Sequence, residues 1–320
     1  MNRITLLLAR IPWPLRLALV AAVGFGLFKG FVAALPTTVA VGFKLLGKAP
    51  HCPWPRIVSF QSDTARQKRL FTAALEGLRV AEHDAALDIE LIAGQQKAFW
   101  IKRRGTKLGG KELLAYLFSD HIWMAKNNPA NQVRNGDIVL DCGAHVGVFT
   151  QNALERGASR VVAIEPDPVN LECLRRNFSA EIAQGRVILA PMGVWSSETT
   201  MRLFEGLQNS GTNTMFRGSE GANGIDVPVT TIDNLARSLQ LPRVDYIKMD
   251  IEGAEREALT GALETLRRFR PRLMVDSYHR EDDMQVLPAI IRKAHADYAL
   301  TCGPCESDSR RFVPHVAFYQ

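Results

Sequence analysis

One stretch constrains this chain more than any other: residues 137–150, which read Asp-Ile-Val-Leu-Asp-Cys-Gly-Ala-His-Val-Gly-Val-Phe-Thr. The apolar run Ile138-Val139-Leu140 ends in a carboxylate at Asp141, turns at Gly143, and gives way to helical spacing from about Val146. A short apolar run closed by glycine reads as a buried strand of a parallel sheet. A strand feeding a glycine turn and a helix puts backbone N–H groups and a positive dipole end at the sheet's carboxyl edge. That edge is where α/β folds hold nucleotides. Gly143 lets the chain turn with positive φ, and Gly147 lets a ligand or strand approach the helix backbone closely.

Beyond residue 137 the pattern alternates. A helix is predicted to about Arg156, then strands at 161–164 and 187–189 with a helix opened by Pro168 between them. Runs at 199–204 and 227–231 flank a Gly-, Asn- and Ser-rich loop, a candidate lid. The spacing then predicts a strand at 244–249, a helix over 254–268, a strand at 272–276, a helix over 284–294, and final strands at 298–301 and 312–319. Strands alternating with helices argue an α/β, doubly wound, Rossmann-like sheet. Upstream, residues 50–134 read as a mixed α/β extension. A Pro-broken linker at 51–55 leads to a helix over 62–78, a hairpin at 89–92 and 98–101, and a helix over 111–123.

The first 49 residues differ in kind. The apolar tract 15–46 holds twelve uncharged residues to Phe28, then Lys29, then fourteen more to Phe43 with Pro36 inside. Neither half reaches the roughly 18–20 residues of a spanning helix. Together they would span, with Lys29 near mid-bilayer at a cost of about 2.5–3.5 kcal/mol. Residues 1–136 carry 19 basic and 8 acidic side chains, whereas residues 137–320 carry 20 and 25. A basic, apolar front favours an anionic lipid surface over nucleic acid, so the partner expected through residues 1–49 is a membrane. An interfacial or re-entrant anchor, one transmembrane helix, and a cleaved signal or buried helix all remain open readings. The five cysteines, an odd number, predict no disulfide framework and a reducing compartment, with the catalytic part on the cytoplasmic side.

Three groups carry the chemistry. Glu165 follows Asp141 by 24 residues at the tip of the next strand, where a carboxylate can accept from both hydroxyls of a ribose. The glycine pattern here is Asp-x-Gly-Ala-x-x-Gly, without the close glycines that admit a pyrophosphate. Asp141 before the turn would repel a pyrophosphate and suits a cationic ligand. The residues therefore favour S-adenosylmethionine over NAD. Second, Lys248, Asp250 and Glu252 lie at another strand tip; charges on a buried strand need partners, and a carboxylate there can take a proton from a hydroxyl substrate. The alternative is that these acids only cap a helix or pair with Lys248. Third, His279 leaves the next strand as a second candidate base. No metal is expected, since Asp250 and Glu252 lack a clear third ligand. Cys302-Gly-Pro-Cys305 spells a redox dithiol, but the polar sequel argues against that use and no second pair completes a zinc site.

Five motifs in order then resemble the FkbM-type methyltransferase family. They are Asp141-x-Gly-Ala-x-x-Gly-x-Phe-Thr, Ala163-Ile-Glu165-Pro-Asp-Pro-x-Asn170, Val229-Thr-Thr-Ile-Asp233, Ile247-Lys-Met-Asp-Ile-Glu252-Gly-Ala-Glu255 and Arg270-Pro271. The likeness covers residues 135–320, taken as the methyltransferase domain. It implies a class I, seven-stranded sheet with an antiparallel last strand, S-adenosylmethionine as cofactor, and O-methylation of sugars, glycans or related metabolites. Carried over, Asp141, Gly143, Ala144 and Gly147 shape the cofactor loop and Glu165 takes the ribose. His145 departs from the family, which commonly has Asn there. The expectation is a membrane-associated O-methyltransferase acting on a sugar, glycan or lipid-linked glycan, with Asp250, Glu252 and His279 as catalytic candidates. Its rivals are an NAD-binding oxidoreductase and a non-catalytic membrane-tethered scaffold.

Overall fold

A computed structural model of the chain describes residues 36–94, 97–103, 108–204, 213–215, 224–307 and 312–320. Helix α1 (Pro36–Leu45) leads into α2 (Trp54–Glu76). The prolines at 53 and 55 were expected to make a linker; they start α2 instead, because the first turn of a helix needs no backbone N–H. Three antiparallel strands follow: β1 (Arg79–Asp84), β2 (Ile89–Ala93) and β3 (Phe99–Lys102). β1 escaped the sequence because its side chains face solvent and show no alternation of burial. Helix α3 (Gly110–Asn127) packs along α2 and leads to the central strand.

That strand is β4 (Ile138–Cys142), followed by α4 (Val148–Glu155), β5 (Arg160–Ile164), α5 (Pro168–Asn177), α6 (Ser179–Ala183) and β6 (Val187–Ala190). A small sheet of β7 (Gly193–Val194), β8 (Thr199–Phe204) and β9 (Gly224–Thr230) comes next. Then come α7 (Ile232–Ser238), β10 (Tyr246–Met249), α8 (Glu255–Thr260), α9 (Leu263–Phe269), β11 (Arg272–Asp276) and α10 (Asp283–Ala294). The predicted helix over 254–268 is two helices. It breaks at Gly261, where the carbonyl of Trp195 leaves no room for a side chain. The chain ends in β12 (Leu300–Cys302), β13 (Cys305–Ser307), β14 (Phe312–Pro314) and β15 (Val316–Tyr319).

The main sheet runs β12-β15-β11-β10-β4-β5-β6. β4, β5, β6, β10 and β11 are parallel, and β15 lies antiparallel between β11 and β12. This is the class I methyltransferase-like arrangement, with the expected antiparallel last strand. Successive residues bury on opposite faces: Val139, Val161 and Ala163 against α3–α5, and Leu140, Val162 and Ile164 against α7–α10. Each such buried Val, Leu or Ile is worth about 1.5–3 kcal/mol, so both faces demand cover. The order reverses beside β4: the chain moves outward through β5 and β6, then returns on the other side as β10. That switch point opens a crevice at the strands' carboxyl ends.

The first described residues pack on this domain. Ala40, Ala49, Cys52 and Ile57 share a core with Cys305 and Phe312, and the Phe60 ring meets Phe312 edge-on at 4.6 Å. Cys52 and Cys305, 253 residues apart, form a disulfide, while Cys142, Cys173 and Cys302 are free. The expectation of no disulfide is thus overturned, since an odd count says nothing about which thiols folding brings together. The expected anchor over residues 1–49 lies largely outside the described residues. Among the described residues no helix is long and apolar enough to cross a membrane.

Candidate active site

The register sets the first contact. β10 pairs with β4 so that Lys248 lies beside Asp141, both on a buried sheet. The Lys248 ammonium sits 3.4 Å from one Asp141 oxygen and donates to the carbonyl of Gly143 at 2.8 Å. The Thr150 hydroxyl donates to the other Asp141 oxygen at 2.7 Å. Burial opposes the charge on Lys248, yet Asp141 and Asp250 hold its pKa above the ordinary value. Asp250 and Glu252 were the partners weighed for Lys248; the structure pairs it with Asp141 instead. Asp141 is fully buried and acts behind the loop, clamping it.

Gly143 turns with φ of 77°, and a Cβ there would lie 2.0 Å from the carbonyl oxygen of Asp250. Two tips of the sheet therefore meet at this one residue. The N–H groups of Gly143 and Ala144 both donate to the Ile164 carbonyl at 3.0 Å, tying the loop to β5. Gly147 has a different use from the one expected. A Cβ there would lie 2.2 Å from the Phe178 ring, so this glycine admits an aromatic of the core rather than a ligand. Gly143, Ala144 and Glu165 line the cleft; Asp141 and Gly147 stand behind it.

Glu165 is 5% exposed and follows β5 directly. Its oxygens accept from the N–H of His145 at 2.9 Å, the N–H of Asp167 at 3.0 Å and the Asn170 amide at 3.3 Å. Burial, with the neighbouring Asp167 charge, pushes its carboxyl up to about 7. Asp167 meanwhile caps α5, accepting from the N–H groups of Val169 and Asn170, and pairs with Lys102 at 2.9 Å. His145, in the left-handed region at φ 51°, is pushed down to about 4 by burial and then by Lys102.

The opposite wall is acidic. Asp250 follows β10, and Glu252 comes two residues later with φ 54°. A non-glycine residue held there costs about 1–3 kcal/mol, a strain typical of functional loops. His279, beyond β11, brings its Nε2 to 3.6 Å from Glu252 Oε2 and 4.0 Å from Asp250 Oδ1. The three catalytic candidates therefore converge. Glu255, fully buried at the start of α8, meets His279 Nδ1 at 3.0 Å and fixes the ring. Burial and then Asp250 push Glu252 up to about 7. The hydrogen bond to Glu255 and the surrounding carboxylates outweigh burial and raise His279 to about 10. For Asp250, Lys248 and His279 outweigh burial and lower the carboxyl.

The sequence left two parts of the cleft unassigned. Leu117 and His121 of α3 form part of its wall, and Met192 and Gly193 another. Asn213 and Met215 reach it from the described portion of the expected lid, residues 213–215. Asn213 donates to Asp167 at 2.9 Å, and the Thr214 hydroxyl donates to the carbonyl of Glu252 at 3.1 Å. Only the polar composition of that loop hinted at its place. The cleft encloses about 860 Å³, counting solvent at its mouth. Glu165, Asp250 and Glu252 give it acidic walls, while the ammonium of Lys248 is turned to Asp141 and Gly143. Such walls suit a nucleoside bearing a cationic sulfur and oppose a pyrophosphate.

Comparison with known proteins agrees. Residues 141–299 match the methyltransferase FkbM domain. The chain is similar to methyltransferase sdnD of Sordaria araneosa, 28% identical over 189 residues, spanning 50% of this chain and 71% of that protein. It is also similar to hexuronic acid methyltransferase AglP of Haloferax volcanii, 27% identical over 135 residues, spanning 42% of this chain and 54% of that protein. Methyltransferase FkbM of Methylobacillus flagellatus KT superposes with a TM-score of 0.46 at 18% identity, over 83% of this chain and 62% of that one. The chain thus spans under two thirds of the last two.

Proposed function

This chain is an FkbM-type methyltransferase that uses S-adenosylmethionine, and we propose that it methylates a hydroxyl oxygen of a sugar, glycan or related metabolite. The NAD oxidoreductase and the inert scaffold are set aside by that family. When bound, S-adenosylmethionine supplies a methyl group on a positively charged sulfur. Glu165 would accept from the ribose hydroxyls, and the loop of Gly143 and Ala144 would form the floor under the nucleoside. Met192 and Met215 exclude water from it. Asp250 and Glu252 would face the acceptor, with His279 behind them. Glu252, raised to about 7, would be the group to take the proton of the acceptor hydroxyl as the methyl is received.

The observation that carries the reading is that Asp250 and Glu252 line the same cleft as Glu165, with His279 held behind them, 4.0 and 3.6 Å from their carboxylates. A sugar acceptor is supported by the similarity to a hexuronic acid methyltransferase. The test is transfer of radiolabelled methyl from S-adenosylmethionine to neutral hexoses, hexuronic acids and lipid-linked glycans by the full chain. The expected label survives mild alkali, as an ether does. Label released by alkali means an ester, and overturns the hydroxyl reading.

We further propose that residues 1–49 hold the enzyme at a membrane surface, on the basic and apolar character of that segment. Support comes from Leu45 and Leu46, which are 73% and 74% exposed at the end of α1. The full chain is expected to float with anionic vesicles, and Leu45→Glu/Leu46→Glu to reduce the floated fraction. A chain that stays at the bottom of the gradient contradicts this. The Cys52–Cys305 bridge favours an oxidising compartment over the cytoplasmic side first expected. Counting thiols in the unreduced, denatured chain decides between three and five.

A further inference from the structure

Around His279 the charges do not balance. Asp250, Glu252 and Glu255 all converge on one imidazole, while Lys248, the nearby cation, is directed to Asp141 and the Gly143 carbonyl. The His279 side chain is only 8% exposed. Its Nδ1 is occupied by Glu255, but its buried Nε2 makes no hydrogen bond and points between Asp250 and Glu252. A buried ring nitrogen without a partner has to be explained.

We propose that Asp250, Glu252 and His279 bind a hard divalent cation of the Mg²⁺ or Mn²⁺ class. Each offers one donor atom, and the three atoms lie within 4.8 Å of one another. Two carboxylates and one imidazole, without a thiolate, suit such ions with several positions left for oxygen ligands. An octahedral ion with bonds of about 2.1 Å sets neighbouring donors about 3 Å apart. The carboxylates of Asp250 and Glu252, 37% and 21% exposed, can swing inward to meet it. Glu255 completes the arrangement as a positioning residue: its carboxylate accepts a hydrogen bond from Nδ1–H, so that the ion, in displacing the Nε2 proton to solvent, meets the Nε2 lone pair. The left-handed turn at Glu252 is then the backbone strain that aims the second carboxylate.

This inference rests on the acceptor's lying at this end of the cleft. Two neighbouring hydroxyls of a sugar can occupy adjacent positions on the ion, which fixes the acceptor and weakens its hold on the proton. With its carboxylate on the ion, Glu252 no longer takes the proton, which passes instead to a water of the open cleft, while the methyl transfer itself is unchanged.

The test is titration of Mn²⁺ into the full chain, followed by the paramagnetic resonance of the free ion, with no cofactor or acceptor present. One saturable Mn²⁺ per chain is expected, displaced by Mg²⁺. His279→Ala and Glu252→Gln should each weaken it at least about tenfold, and Glu255→Gln by about tenfold, as loss of an orienting carboxylate does. Thermal melts of the variants establish that they fold. Absent Mn²⁺ binding in a chain that binds S-adenosylmethionine overturns the cation site and leaves the methyltransferase reading intact. Binding that is unchanged in Glu252→Gln and His279→Ala overturns it equally.

Discussion

Two strand tips face each other across the cleft, and they are built on opposite plans. At the end of β5, Glu165 is nearly sealed, and its oxygens accept from two backbone N–H groups and one amide. At the end of β10, Asp250 and Glu252 are partly exposed, and their side chains accept no hydrogen bond from any described residue. The first tip is finished before a ligand arrives; the second holds charge in reserve. A group that recognises a constant cofactor gains from being fixed in advance, since little ordering is left to do on binding. A group that must meet an acceptor, a proton and a cation gains from having unspent capacity. Gly143 and Lys248 join the two, one by its contact with the Asp250 carbonyl and the other by bridging Asp141 and the glycine loop.

The severest way to break this comparison is to cut the bridge. Lys248→Met leaves Asp141 charged, buried and unpaired, and is expected to cost about 3–5 kcal/mol in denaturant unfolding. Adding Asp141→Asn should restore much of it. A loss near zero would mean that the finished tip does not depend on the clamp. On the reserved side, His279→Ala strips the buried Glu255 of its partner, so a lowered melting temperature is expected together with about 100-fold lost in kcat. His279→Gln should recover the melting temperature but not the rate. A large drop in melting temperature with activity retained would make His279 merely structural.

Smaller effects sharpen the contrast. Glu165→Ala should weaken S-adenosylmethionine about 10- to 100-fold by calorimetry, because a buried acceptor for two hydroxyls is lost. Glu252→Ala should change that affinity far less. The pH dependence is smaller still. Glu165 has its folded pKa raised to about 7, so its contribution to stability is fully present below its ordinary carboxyl value near pH 4.5 and is lost as pH rises through 7. Glu165→Gln should remove that loss, roughly 1–3 kcal/mol between pH 5 and 8. Glu252→Gln should remove a smaller one, since water screens its more exposed carboxylate. Equal slopes for the two variants would erase the distinction.

The finished tip was legible in the sequence, and the reserved one only in part. Asp141, Gly143 and Glu165 announce themselves because a strand, a glycine turn and the next strand tip are local features with fixed spacing. Asp250 and Glu252 could be seen for the same reason. Their meeting with His279 could not, because it depends on β10 and β11 lying side by side and on where the chain turns after β11. The role of Glu255 was hidden too: it sits four residues from Ile251, whose N–H it also accepts, and reads as a plain helix start. Asp141 with Lys248 and Cys52 with Cys305 are contacts across 107 and 253 residues, decided by sheet order and docking rather than by any periodicity. Gly147 shows the converse: its motif position was plain, but only the Phe178 ring reveals what its missing side chain admits.

On the proposed reading, the crevice at the ends of β4 and β10 holds S-adenosylmethionine through Glu165, with its methyl directed at Asp250 and Glu252. Calorimetric titration of S-adenosylmethionine and of NAD into the full chain, beside the Glu165→Ala variant, tests it most directly. One saturable S-adenosylmethionine site is expected, weakened by the substitution, and no NAD binding. Tighter binding of NAD, or S-adenosylmethionine binding indifferent to Glu165, would contradict it.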